Sequence, residues 1–533
     1  MSFAMTTRAP SLFSRATGPL LCAASLALLT ACPDGEGNGE SFGTETAGTE
    51  TDTTVGDEAT TTSEDTTDDE TTTTTTSADD GPCTSVGCEC EGEGSCDPGL
   101  VCFEGVCTDA LCGDGEVQPG EDCEDGNDVD GDGCDNDCTF TQVNTVAAGA
   151  NHTCVIIDGG TVRCWGRGDS GQLGYGNINQ VGDDEFPSDV GDVVLPGPVL
   201  RLSLGGNHSC GIFQDGGLRC WGQNDRGQLG YGNTNNLGDD ENLAGLPAVG
   251  VPPTIAVQLG AKHTCARVGN GEARCWGFNE QGQLGAASIA LQELLPGASI
   301  DVGAPTSGLG VGGGHSCVRF VDGGLRCWGL NDSGQLGYGN LNNIGDDEVP
   351  SAAGLVSVVP PNLPANTEIV DVALGGNHSC ALLGSGDAVC WGLNTSGQLG
   401  TGNLNNIGDD EVPSTQLAVD LPGPVAQLAL GANHSCAMLV GGEVYCWGDS
   451  QVGQLGYGNL NNIGDDESPS AGGAVNLGAA ALQIAAGNNH TCALLEDFEV
   501  LCWGQNTHSQ LGLGTITVGD NETPADTEPV SVL

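Results

Sequence analysis

Basic side chains are scarce in this chain of 533 residues: Lys and Arg together number 12 against 72 Asp and Glu, and Lys262 is the single lysine. The formal net charge of -60 argues against nucleic acid as a partner, since phosphate binding needs a field of the opposite sign. Aromatic residues are also few, at 4%, and the apolar stretch from Leu20 to Leu29 is too short for an ordinary membrane span. What the chain has in quantity is glycine, 89 residues, and cysteine, 26. That combination fits many short strands joined by turns and does not describe an ordinary cytosolic enzyme. Apart from Cys22 and Cys32, 10 cysteines fall in residues 83 to 138 and 14 beyond, even counts that suit disulfides formed in an oxidising compartment.

The N-terminus offers a route to such a compartment. Arg8 and Arg15 precede the apolar stretch, which closes on Leu29-Thr30-Ala31-Cys32 and resembles a bacterial lipobox, whose cysteine is acylated and becomes the mature N-terminus. Residues 1–32 are read as a lipoprotein signal peptide with Cys32 as the lipid attachment site; a plain secretory peptide or an uncleaved anchor would export the rest equally. The expected location is the bacterial cell envelope, lipid-anchored, at the outer membrane or cell surface. Residues 33–82 run mainly through Thr, Asp, Glu, Gly and Ser with one valine and one phenylalanine, too little apolar surface to offset chain entropy. They read as a disordered tether, with an r.m.s. span of roughly 40 Å before self-repulsion extends it.

Residues 83–140 hold little apolar material, so their cysteines must supply the order a core cannot. Cys112, Cys123, Cys134 and Cys138 lie in a segment running from Cys-Gly-Asp-Gly to Asp-Gly-Asp-Gly-Cys, which resembles a cysteine-rich repeat of secreted myxobacterial proteins. Zinc is the rival explanation, but the segment has no histidine and export disfavours thiolates. Asp128, Asp130 and Asp132 before Gly133 reproduce the opening of a calcium loop, with Asp137 beyond; Thr139 stands where the bidentate glutamate belongs. Calcium, the one cofactor the sequence suggests, and a solvated acidic turn both remain open there.

Residues 141–533 are organised by a repeat with a period of 52 to 63 residues, marked by His152, His208, His263, His315, His378, His434 and His490. Each unit reads apolar-x-apolar-Gly-x-x-His-Ser/Thr-Cys, nine residues, Cys-Trp-Gly, a polar turn and Gly-Gln-Leu-Gly, with Ser509 replacing the first glycine of the last copy. The nine residues read as strand, glycine turn and strand, a hairpin that sets the two cysteines opposite each other. The predicted disulfides are Cys154 with Cys164, Cys210 with Cys220, Cys265 with Cys275, Cys317 with Cys327, Cys380 with Cys390, Cys436 with Cys446, and Cys492 with Cys502; free buried cysteines are the alternative. Seven four-stranded units can bury both faces by closing into a ring. The first unit starts near Gln142 without the strand that precedes every later one, and Pro529 to Val532 is read as the strand that completes it.

These motifs resemble the regulator of chromosome condensation repeat family, which implies an all-β fold: a seven-bladed β-propeller, here behind a small disulfide-rich module and a disordered tether. The family includes a nuclear exchange factor for a small GTPase, a plant photoreceptor and a secreted β-lactamase inhibitor, so the resemblance fixes fold more firmly than function. Nuclear roles do not carry over to an exported chain, and the photoreceptor's tryptophan clusters are missing, since all seven tryptophans lie in Cys-Trp-Gly.

Symmetry also removes the apparent catalytic residues. Seven of the eight histidines occupy one repeat position, a structural requirement, and His508 sits in a polar turn. No catalytic residue is expected. The informative residues break the symmetry: beyond the signal, every Lys and Arg falls between Arg163 and Arg326. Arg163, Arg219, Arg274 and Arg326 share the position before Cys-Trp-Gly, where later units have Val389, Tyr445 and Leu501. The third unit replaces with Ala286 to Leu295 an acidic loop that ends at Glu185, Glu241, Glu348, Glu411 and Glu467 in units one, two, four, five and six. Those loops read as a solubilising rim or as cation ligands. Lys262, Arg267, Arg274 and Arg319 are the candidate contacts to an anionic or polar partner, against the alternative of scattered surface charges. The expected function is a monomeric, non-enzymatic binding or scaffold lipoprotein with a protein partner, touching the membrane only through its lipid; an inhibitor of a secreted or periplasmic enzyme is the second reading.

Overall fold

The computed structural model describes Leu100–Phe103, Val106–Asp109, Cys123, Cys134, 138–289 and 295–533. Cys32, the tether at 33–82 and the aspartates at 128, 130, 132 and 137 lie outside the described residues. Within the cysteine-rich segment, Leu100–Phe103 and Val106–Asp109 pair antiparallel with Cys102 opposite Cys107, and Cys123 is bonded to Cys134 with Cα atoms 5.7 Å apart.

From Val143 onward the chain forms seven sheets of three antiparallel strands, each sheet built from consecutive segments. The inner strands are Val143–Ala148, Val199–Leu204, Thr254–Leu259, Thr306–Val311, Ile369–Leu374, Val425–Leu430 and Ala481–Ala486. Each middle strand begins at the repeat histidine, as in His152–Ile157, and each third strand ends at Cys-Trp-Gly, as in Val162–Gly166. The fourth element expected of each blade is an extended segment held to the third strand by a single ladder bond, for example Val193 N–H to the Val162 carbonyl at 2.8 Å. Such a segment is too sparsely paired to count as a strand.

The nine-residue spacing sets the register as predicted. In every blade the two cysteines face each other across the hairpin and are bonded, with Cα separations of 4.0 to 4.1 Å. Those cysteines and the seven tryptophans are buried in the core.

Ring closure differs from the sequence reading. The first blade has its own inner strand and its own outer segment at Val193, while Val530 N–H donates to the Val500 carbonyl and so completes the seventh blade. The C-terminus reaches the first blade only beyond that bond, through Ser531 to Ser188 and the Val532 carbonyl to Arg163. No strand has to cross the seam, because side chains and loops close it. The Trp165 indole and the Thr153 hydroxyl donate to the Gln510 carbonyl, as Trp221 and Ser209 do to Gln172 one blade on. Around the axis, Ala150 N–H donates to Gly205, Gly206 to Gly260, and so on until Asn488 N–H donates to the Ala150 carbonyl. A cavity of about 230 Å³ inside this backbone ring is lined by residues of all seven blades, chiefly Gly, Ala and Leu.

Candidate functional site

The repeat histidines form a second closed ring. His152 Nε2 meets Ser209 Oγ at 3.1 Å, His208 meets Thr264 at 2.9 Å, and the series ends with His490 on Thr153 at 3.0 Å. Each hydroxyl donates its own hydrogen to a Gln carbonyl, such as Gln172 at 2.9 Å, and therefore accepts from histidine, which fixes the Nε2–H tautomer. Nδ1 is then a buried acceptor without a partner in all seven blades. Burial pushes these imidazoles down to about 3, or about 4 at His434, so they are neutral. The glycine three residues before each histidine is required by this contact, since a Cβ at Gly149 would lie 2.3 Å from His152 Cε1. The histidines are interblade bolts with no access to a substrate.

The cations divide just as clearly. Arg163, Arg219, Arg274 and Arg326, all in third strands, donate to carbonyls of outer segments at Val532, Leu246, Gly297 and Gly354 respectively, and so clamp the weakly paired fourth element. Arg163, Arg219 and Arg274 add ion pairs to Asp192, Asp215 and Glu272. Lys262 pairs with Asp225 at 3.1 Å, Arg226 lies near Asp225 and Glu280, and Arg167 pairs with Asp169. Three remain. Among the described residues, Arg201, Arg267 and Arg319 have neither an ion pair nor a hydrogen bond to the guanidinium, and the Nε atoms of Arg267 and Arg319 are buried without partners.

The register sets these three at one level of adjacent blades. Arg201 stands on the inner strand of blade two; Arg267 is on the middle strand of blade three opposite Ala256, the counterpart of Arg201; Arg319 is on the middle strand of blade four opposite Gly308. Burial, then the charges of Arg319 and Arg201, hold Arg267 below the usual arginine range. Asp371 of blade five, at the same inner-strand register, lies within electrostatic reach of Arg319; burial raises its carboxyl, although solvent reaches the side chain. Of the four cations singled out from the sequence, the structure therefore groups Arg267 with Arg319 and places Lys262 and Arg274 elsewhere, in pairs of their own. Arg201 and Asp371 were missed. Their signal was present in the repeat alignment, where the same position reads Thr145, Arg201, Ala256, Gly308, Asp371, Gln427 and Gln483.

Comparison with known proteins decides the family. Two models described as regulator of chromosome condensation (RCC1) repeat match, one at 143–172, 199–228, 255–283, 369–398, 425–454 and 482–510, the other at 322–382, 385–438 and 441–494, together over half the chain. The chain belongs to the RCC1-repeat family. Among its curated relatives are the ultraviolet-B receptor UVR8 of Arabidopsis thaliana, 28% identical over 73% of this chain and 82% of that protein, and the human E3 ubiquitin-protein ligase HERC2, 30% identical over 67% of this chain. The chain spans only 7% of HERC2. Among solved structures, Prp20p from Saccharomyces cerevisiae, whose binding to Gsp1p and histones is described with its structure, superposes with a TM-score of 0.54 at 20% identity, covering 73% of this chain and 87% of that one. At that identity the likeness is one of fold.

Against its RCC1 frame the acidic loops read as a regular rim. In five blades the Asp-Asp-Glu carboxylates approach within 4.8 Å of one another, each cluster half-buried or exposed and none fully buried. Burial and neighbouring aspartates push Glu185, Glu348 and Glu411 up to about 7 and Glu467 up to about 6. The same loops also join blades, as when Gly176 N–H donates to the Gly238 carbonyl. That bond gives the loop glycines a structural duty.

Proposed function

We propose that this RCC1-repeat propeller is a non-enzymatic binding scaffold held outside the cytoplasm by a lipid on Cys32, and that it docks a protein partner through the cationic sector of blades two to four. The observation that carries this reading is the division of polar groups. The repeat His, Ser/Thr, Trp and Gln residues are consumed in holding blades together, whereas Arg201, Arg267 and Arg319 are left unpaired in a chain of net charge -60. Exposed apolar residues precede this register in the inner strands, Leu200 before Arg201 at 60%, Ile255 before Ala256 at 37% and Val370 before Asp371 at 38%, and such a mixture of cation and hydrocarbon suits a protein surface better than a free solute. Seven blade disulfides with buried sulfurs support an oxidising location.

The inhibitor reading stays second, because tight inhibitory interfaces rest on clustered aromatic anchors. Phe140 and Phe498 share one groove by the C-terminus, an anchor set of two. Protease treatment of intact cells tests the main reading: the full chain should be digested while still attached to membranes, and Cys32→Ser should release it. Covalent cross-linking through the cationic sector should then capture a consistent envelope protein. A chain retained in the cytoplasm, or one that cross-links to nothing, would overturn the proposal.

A further inference from the structure

We infer that Arg201, Arg267 and Arg319 form an oxyanion-binding site at the inner edge of blades two to four, whose ligand is the carboxylate of an acidic, partly apolar peptide segment. This rests on the reading of that sector as a docking surface and names the chemistry that would be recognised there. Arg267 and Arg319 occupy a middle-strand register where the other blades carry Ile156, Ile212, Leu382, Met438 and Leu494, each no more than 8% exposed. A guanidinium there forgoes apolar burial and strands an Nε atom without a partner. Residues that break a local rule without structural compensation mark functional sites.

Both arginines lie opposite unusually small inner-strand residues, Ala256 and Gly308, and a Cβ on Gly308 would come 3.2 Å from both Cβ and Nε of Arg319. A longer residue would displace the guanidinium. At the same level on the other side of the ring, polar side chains bridge neighbouring blades: Gln427 bonds both backbone groups of Ile484, and Gln483 accepts from Val146 N–H. Among the described residues of the cationic sector no bridge takes their place, and the donors stay free. Three guanidiniums on adjacent blades offer planar forks that match a carboxylate bidentately. Leu200, Ile255 and Val370, exposed and one residue before this register in the inner strands, would add apolar contact, and Asp371, within electrostatic reach of Arg319, would disfavour further negative charge on the blade-five side.

The test is calorimetric titration of the full chain, in low-chloride buffer, with an end-blocked peptide of alternating glutamate and leucine and, separately, with inorganic phosphate. The peptide is expected to bind and to be displaced by phosphate. Arg267→Leu and Arg319→Met should each weaken binding by roughly 10- to 100-fold, the worth of a charge-assisted contact. Both variants install what other blades already carry at this register, and Arg201→Gln, on an exposed side chain, gives a third variant with no demand on packing. Lys262→Ala and Arg274→Ala should leave affinity unchanged. Phosphate binding alone, lost in the same variants, keeps the site and assigns it to a free oxyanion. No heat from either probe up to about 10 mM, or undiminished binding in the Arg267→Leu/Arg319→Met double variant, overturns the inference. Binding of these probes without any cross-linked envelope partner would refute the scaffold reading and leave the site standing.

Discussion

Removing one blade disulfide gives a stability change that can be worked from the structure. Cys436 and Cys446 close a loop with a sequence separation of 10, and both sulfurs are fully buried. Chain-entropy arithmetic for a loop of that length gives about 2.7 kcal/mol, or roughly a 100-fold change in the unfolding equilibrium. Cys436→Ala/Cys446→Ala should therefore lower the guanidinium midpoint without losing native tryptophan emission, because six stapled blades and the bolts on either side remain. Seven such losses would sum to about 19 kcal/mol, more than the roughly 5–15 kcal/mol that holds a typical domain. The unfolded and reduced chain should accordingly fail to refold in reductant, whereas the folded propeller should resist reductant, since its blade disulfides are buried. A reduced chain that regains native emission would refute the reasoning and remove the need for an oxidising compartment.

The histidine ring makes stability pH-dependent. Folded imidazoles depressed to about 3, or about 4 at His434, stabilise the fold fully above pH 6.5 and lose that contribution as pH falls, because the unfolded chain takes up seven protons that the folded one refuses. Eight carboxyls raised by burial, among them Glu185, Glu348 and Glu411 at about 7 and Glu467 at about 6, act in the opposite sense as pH falls below 7, but most lie nearer to solvent than the fully buried imidazoles. The thermal midpoint should therefore drop from pH 6.5 towards pH 4, and a midpoint that rises over that interval would contradict the neutral ring. Gly260→Ala, whose Cβ would fall 2.3 Å from His263 Cε1, should prevent accumulation of folded protein, whereas Gly250→Ala, with open space around it, should be within about 0.5 kcal/mol of the parent by chemical denaturation. His434→Ala opens a buried cavity and breaks the bond to Thr491, with an expected loss of about 3 kcal/mol in the same assay.

The blade hairpins were legible because spacing alone fixes them: with nine residues around a glycine turn, Cys154 can only face Cys164. The histidine's partner was not legible, since Ser209 lies 57 residues from His152 and their meeting depends on how one sheet stacks on the next. The C-terminal strand was assigned to the wrong blade for a related reason. A terminal apolar segment signals closure, but only the bond from Val530 to Val500 tells which edge it covers. At the candidate site, composition drew attention to the cationic units, yet charge by itself could not separate the clamp Arg274 from the unpaired Arg267. Register separates them, because Arg274 is paired at the outer edge while Arg267 stands where a leucine would pack.

The central claim is that Arg267 and Arg319 are retained for binding at the expense of packing. Chemical denaturation of the Arg267→Leu/Arg319→Met double variant tests it most directly. Relief of two buried, unpaired guanidinium nitrogens should raise unfolding free energy by about 1–3 kcal/mol. A fall of similar size would show that the arginines hold the blades together, and the site would then be structural.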